Sequence, residues 1–131
     1  MKFGFPSEAH LKSRKQFDLI FRTGRRQTGE LVRLLYLSPV CGDTKFGVTV
    51  SKKIAGAAQR VRGRRRLRES LRRLRPWTKK NIWLVVSLRD TALRASAKAV
   101  YYDLARLMQK AGLLTDDWQG ADWNVDFQSE A

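Results

Sequence analysis

Residues 51–76, SKKIAGAAQRVRGRRRLRESLRRLRP, constrain this chain more than any other stretch. Eleven of them are basic, and nine of those eleven are arginine. A segment so charged can fold only by turning a narrow apolar edge inward. At about 100° per residue, Gly63, Leu67, Leu71 and Leu74 fall within about 80° of one another. The pattern predicts a helix over 57–74, ended by Pro76. Arg62, Arg64, Arg65, Arg66, Arg68, Arg72 and Arg73 spread over the remaining arc. Gly63 in mid-helix costs about 1 kcal/mol relative to Ala, and a close approach to a sheet would account for it. Glu69 is the one acid between Asp43 and Asp90, whereas an ordinary surface helix mixes its signs. Like charge at this density costs stability unless a polyanion neutralises it. The planar donor fork of arginine matches phosphate oxygens two at a time. Nucleic acid is the partner implied.

The rest of the composition agrees. The 131 residues suggest one domain, and a hydrophobic fraction of 43% is enough for a modest core. The formal net charge is +15. It is unevenly placed: residues 1–112 hold 27 basic and 7 acidic side chains, a net of +20, and residues 113–131 carry −5. The chain divides accordingly into a basic domain, 1–112, and an acidic, aromatic-containing tail, 113–131. Cys41 is the only cysteine, so no intrachain disulfide can form. No apolar run approaches the ~18–20 residues of a membrane span. Pro6, Glu8 and His10 interrupt any signal-peptide core. These features suggest a cytoplasmic protein with no membrane partner.

Residues 1–12 read as an extended arm. A helix is expected over 13–23, where Ser13 and Gln16 form a capping-box pair and Gly24 is the stop. Phe17, Ile20 and Phe21 share one face of it. Residues 25–38 read as strand, divided or bulged at Gly29-Glu30. Pro39, Gly42 and Asp43 mark a turn, followed by a strand over 45–50 with Phe46, Val48 and Val50 on one face. After the arginine helix come a buried strand over 81–88 and a last helix over 94–111, stopped at Gly112. The order α-β-β-β-α-β-α predicts an α+β fold: a small two-layer sandwich of about four strands with helices on one face.

Taken together, the first-helix stretch LKSRKQFDLIF, the strand GVTVSKK and the helix RVRGRRRLRES resemble the bacterial ribonuclease P protein component. The similarity covers about 11–112. Ser51, Lys52, Lys53 and Ala57 match the family's SKKxxxA lead-in. Arg60, Arg62, Arg64, Arg65 and Arg68 stand at the positions of its Arg-Asn-Arg triplet and the basic residues that follow. Three departures stand out: Val61 replaces the triplet's Asn, and Gly63 and Arg66 replace apolar residues. The resemblance implies a left-handed βαβ crossover around the arginine helix. It implies the RNA-binding protein subunit of a ribonucleoprotein that removes 5′ leaders from precursor tRNA, with phosphodiester hydrolysis carried out by the RNA. Its partners would be ribonuclease P RNA and precursor tRNA, with magnesium serving the RNA-catalysed reaction and no small-molecule substrate. A ribosomal or ribosome-assembly RNA-binding protein is the alternative for a small basic α+β domain.

Arg60, Arg62, Arg64, Arg65, Arg68 and Lys53 are the candidates for contact with the RNA subunit. Phe17 and Phe21 have two readings. An i, i+4 aromatic pair usually packs inward, but the family resemblance implies a cleft between the first helix and the sheet that holds the single-stranded leader. Aromatics there would stack bases without demanding a sequence. Tyr36 and Lys52 join them as leader candidates, although either lysine suits either role. His10 and Cys41 lack the partners that metal binding or acid–base chemistry needs. The acids of residues 1–112 are scattered, so no catalytic residue and no metal site is assigned to the protein. Trp118, Trp123 and Phe127 punctuate the tail. Either a few of them dock on the body, or the tail mimics nucleic acid and occupies a basic cleft.

Overall fold

The computed structural model describes residues 10, 11 and 13–124. Helix α1 (Arg14–Thr23) opens on the Ser13–Gln16 capping box, in which the Ser13 hydroxyl accepts from the Gln16 N–H and the Gln16 side chain accepts from the Ser13 N–H. Strands β1 (Arg25–Thr28) and β2 (Val32–Leu37) form a hairpin divided at Gly29-Glu30. Strand β3 (Lys45–Thr49) leads through a turn into α2 (Ala57–Leu74), which returns to β4 (Trp83–Leu88). Helix α3 (Ala97–Lys110) follows. It starts later than the expected residue 94, because Ser96 caps it and residues Asp90–Ala92 form a separate 3-10 turn. Gly112, at φ +74°, takes the left-handed conformation that stops it.

The sheet order is β1-β2-β4-β3, mixed, with β3 and β4 parallel and the other pairs antiparallel. The α+β class and the element order are as expected, but the layering is not. Val32, Leu34 and Tyr36 of β2, Phe46 and Val48 of β3, and Leu84, Val86 and Leu88 of β4 pack against α2 and α3. Leu35, Val85 and Trp83 face the other way, against Phe17 and Ile20 of α1. Helices therefore cover both faces. The physical reason lies in β4: its uninterrupted apolar run puts side chains on both sides of the sheet, and both must be buried.

Gly63 is where α2 comes closest to the sheet. A Cβ there would lie 3.0 Å from Val50 Cγ2 and 3.1 Å from Leu88 Cδ2. The predicted arm over 1–12 lies outside the described residues except for His10 and Leu11. His10 forms a parallel bridge to Phe46, and the Leu11 N–H donates to the Phe46 carbonyl at 2.9 Å, on the free edge of β3.

Candidate nucleic-acid interface

The arginines of α2 divide into two sets. On the flank towards α3, Arg66 donates to the carbonyls of Ala95 (2.6 Å) and Leu93 (3.2 Å). Arg72 and Arg73 both pair with Glu69. Burial raises the Glu69 pKa, but hydrogen bonds and charge from the two arginines outweigh it and hold the carboxyl below its ordinary value. Arg60 donates to the Ala55 carbonyl at 3.0 Å. Arg62, Arg65 and Arg68 are exposed, with Arg64 half-buried beside them. Val61 is 47% exposed on the same crest, so the apolar departure from the family triplet sits on the surface, amid the arginines. Lys52 and Lys53 are exposed in the turn before α2. Of the arginines predicted to contact RNA, three are therefore free to pair with phosphate, and Arg60 is partly engaged by backbone.

On the opposite side of the sheet, α1 covers Leu35 and Val85 and leaves the next row open. The register aligns Arg33, Ser87 and Thr49 across β2, β4 and β3. With Phe21, Lys53 and Arg89 they line a hollow of about 400 Å³. Phe21 is 43% exposed at its rim. Phe17 is half-buried, its ring laid over Gly47, and it lines a smaller hollow of about 120 Å³ with His10, Leu11, Val48 and Arg68. Arg68 thus belongs both to the helix crest and to the edge of the aromatic cleft.

Tyr36 is the correction. It is 8% exposed and packs in the core shared with α2 and α3, on the face away from Phe17 and Phe21. Alternation puts residues 32, 34 and 36 together, so a residue paired with Leu84 cannot line the α1 cleft. Lys53, rather than Lys52, lines the hollow beside Phe21. Sequence reasoning missed Arg33, Thr49, Ser87 and Arg89. The available signal was Arg33, the one charged residue of β2, with apolar neighbours on both sides. His10, set aside as a lone histidine, lies against the smaller hollow.

The tail runs elsewhere. Leu113 and Leu114 are buried, so the core continues past residue 112. Trp118 and Trp123 pack on the α2–α3 side. The backbone N–H groups of Asp122 and Trp123 donate to the Tyr101 and Tyr102 hydroxyls, both at 3.1 Å. Burial pushes the Tyr101 phenol above its ordinary pKa, so it remains a neutral hydroxyl. The described part of the tail docks on the body and does not fill the α1 cleft. Phe127 lies outside the described residues.

The sequence model of the family described as Ribonuclease P matches residues 5–112. The ribonuclease P protein component of Xanthomonas euvesicatoria is 32% identical over 113 residues, 84% of this chain and 75% of that protein. Its counterpart from Microcystis aeruginosa is 28% identical over 116 residues, 85% of this chain and 97% of that protein. Among solved structures, the Staphylococcus aureus RNase P protein superposes with a TM-score of 0.73 at 18% identity, covering 82% of this chain and 98% of that one. The RNase P protein from Thermotoga maritima gives 0.69 at 26% identity, over 77% and 96%. The matched span takes in α1, the sheet, the arginine helix and α3, and on that agreement this chain belongs to the ribonuclease P protein family.

Proposed function

We propose that this chain is the RNA-binding protein subunit of ribonuclease P and assists a catalytic RNA in cleaving 5′ leaders from precursor tRNA. The observation that carries the reading is the position of Arg68, which joins the exposed arginine crest of α2 to the Phe17 hollow. One continuous basic surface can then hold the RNA subunit at Arg62, Arg65 and Arg68 and lead the single-stranded leader into the cleft. Guanidinium groups replace the counterions of the RNA backbone, and their release drives binding. In the cleft, Phe17 and Phe21 offer π faces that accept any base. Arg33 and Lys53, both exposed, supply positive charge to the leader's phosphates, while Arg89 donates to the Gly29 carbonyl at 2.6 Å and adds its charge from behind them. Contacts of this kind recognise backbone and shape without reading sequence, as suits a subunit that serves many leaders.

The chemistry itself belongs to the RNA in this reading. Among the described residues, no three His, Cys, Asp or Glu side chains gather in a group able to hold a metal ion. Among those residues no helix is long and apolar enough to cross a membrane. We place the subunit in the cytoplasm with its RNA partners.

Reconstitution tests the proposal. The protein, ribonuclease P RNA and precursor tRNA are combined at low magnesium, and leader cleavage is expected only with both components present. Replacing Arg62, Arg65 and Arg68 together with Ala should flatten the dependence of log K on log salt by close to one unit per lost phosphate contact. Binding of RNA without any gain in cleavage would point to the ribosomal alternative.

A further inference from the structure

Residues 113–124 lie beyond the matched family segment, and the function above makes no use of them. Their placement is specific. The Arg73 guanidinium carbon sits 3.7 Å from the centre of the Trp123 ring, and Arg73 Nε donates to the Trp123 carbonyl at 3.3 Å. Arg73 Nη1 pairs with Glu69. The Arg73 side chain is left only 9% exposed. Trp123 is itself held by the Tyr101 ring, 5.8 Å between centroids, and by the Tyr102 hydroxyl. Upstream, Thr78 bridges Leu114, which anchors the segment beside the end of α2. Asp116, Asp117 and Asp122 all face solvent.

We infer that this segment is an intramolecular cap that takes the last turn of α2, with Arg72 and Arg73, out of the RNA interface and confines ribonuclease P RNA to the helix surface up to Arg68. The inference rests on the RNA-subunit reading above. Two physical effects act together. Trp123 and Glu69 give Arg73 the cation–π face and the carboxylate that a phosphate contact would otherwise supply. The outward carboxylates repel a phosphate backbone within a Debye length, about 8 Å at physiological salt. By contrast, Arg62, Arg65 and Arg68 are exposed, with no acidic neighbour on the cap. An arginine helix of 18 residues thus presents a short footprint, which fixes where along it the RNA sits.

Single substitutions in the full chain test this without truncation. Affinity for ribonuclease P RNA is measured between about 0.05 and 0.2 M salt, with folding checked by thermal melts. Arg62→Ala should reduce the salt slope by close to one unit, equivalent to about a threefold smaller loss of affinity over that range. Arg73→Ala should leave the slope unchanged. Trp123→Ala should steepen it by close to one unit, and adding Arg73→Ala to that variant should restore the original value. A slope that falls for Arg73→Ala as it does for Arg62→Ala would overturn the cap. So would a Trp123→Ala slope equal to that of the unaltered chain, which would leave the segment a structural brace. If Arg62→Ala also fails to move the slope, or the unaltered chain does not bind the RNA, the RNA-subunit reading itself falls, and the cap with it.

Discussion

Gly47→Ala should reveal how firmly Phe17 is seated at the edge of the cleft. An alanine Cβ at Gly47 would lie 2.8 Å from both Cε1 and Cζ of the Phe17 ring and 3.4 Å from Leu11 Cδ1. Ordinary contact begins near 3.4 Å, so the ring must retreat by about 0.6 Å. Forcing one methyl into a filled site costs roughly 1–3 kcal/mol. Relief of the strand glycine returns about 0.5–1 kcal/mol. The net is a loss of up to about 2.5 kcal/mol, and for a chain of this size each kcal/mol lowers Tm by roughly 3–5 °C. In a Phe17→Ala background the clash is gone, and the same Gly47→Ala should be neutral or stabilising. The coupling between the two sites should therefore be about 1–3 kcal/mol.

Thermal melts and urea titrations of the four proteins in this cycle measure that coupling. Phe17→Ala alone should cost less than the roughly 3–5 kcal/mol of a fully buried Phe, because the ring is only half-buried. If the ring also stacks on the leader, Gly47→Ala should weaken binding of precursor tRNA by up to about 1–3 kcal/mol and leave mature tRNA unaffected. An equal cost of Gly47→Ala with and without Phe17 would refute the contact, and with it the claim that β3 positions this aromatic.

Arg33→Ala should lower affinity for precursor tRNA severalfold at low salt and reduce the salt slope by about 0.7, while the melting temperature and mature-tRNA binding stay put, because Arg33 is exposed. Asp103→Ala should cost about 2–3 kcal/mol in urea unfolding, since Asp103 Oδ2 accepts from the Leu31 (2.9 Å) and Val32 (3.1 Å) N–H groups that start β2. Glu69→Gln should flatten stability against pH in the acid range. A carboxyl whose folded pKa is lowered stabilises the fold above its ordinary value of 4.5, and that contribution is lost as pH falls through the lowered value. Urea midpoints between about pH 3 and 6 should show the slope in the unaltered chain and lose it in the variant.

The features legible in the sequence were those set by neighbours along the chain. The Ser13–Gln16 cap, the bounds of α2 and the inward edge at Gly63 all follow from spacing within one helix. The faces of β3 were legible because Phe46, Val48 and Val50 alternate cleanly. In β2, Leu34, Leu35, Tyr36 and Leu37 are all apolar, so alternation names no face, and Tyr36 was assigned to the wrong one. The side on which α1 packs depends on how the chain enters the sheet, which no local pattern records. The row of Arg33, Ser87 and Thr49 exists only once three strands distant in sequence are in register. The charge step at residue 112 was visible, but the docking of the tail depends on a contact between Arg73 and Trp123, fifty residues apart.

The arginine helix poses a physical problem that these contacts resolve. Its like charges raise the free energy of the folded domain until RNA binds. Arg66 donates through Nη1 and Nη2 to two carbonyls, and Arg72 and Arg73 pair with one carboxylate, so part of the charge is compensated within the protein. The compensated arginines lie on the α3 flank, where a helix–helix contact would otherwise bring cations against an apolar neighbour. The uncompensated ones lie outward or towards the β3 edge, where water screens them in the free protein and phosphate can replace the water. Stability and RNA binding are thus assigned to different arginines of the same helix. Salt should accordingly act in opposite directions on the two properties: added salt should relieve repulsion on the crest and raise the melting temperature of the free protein while weakening the complex with RNA.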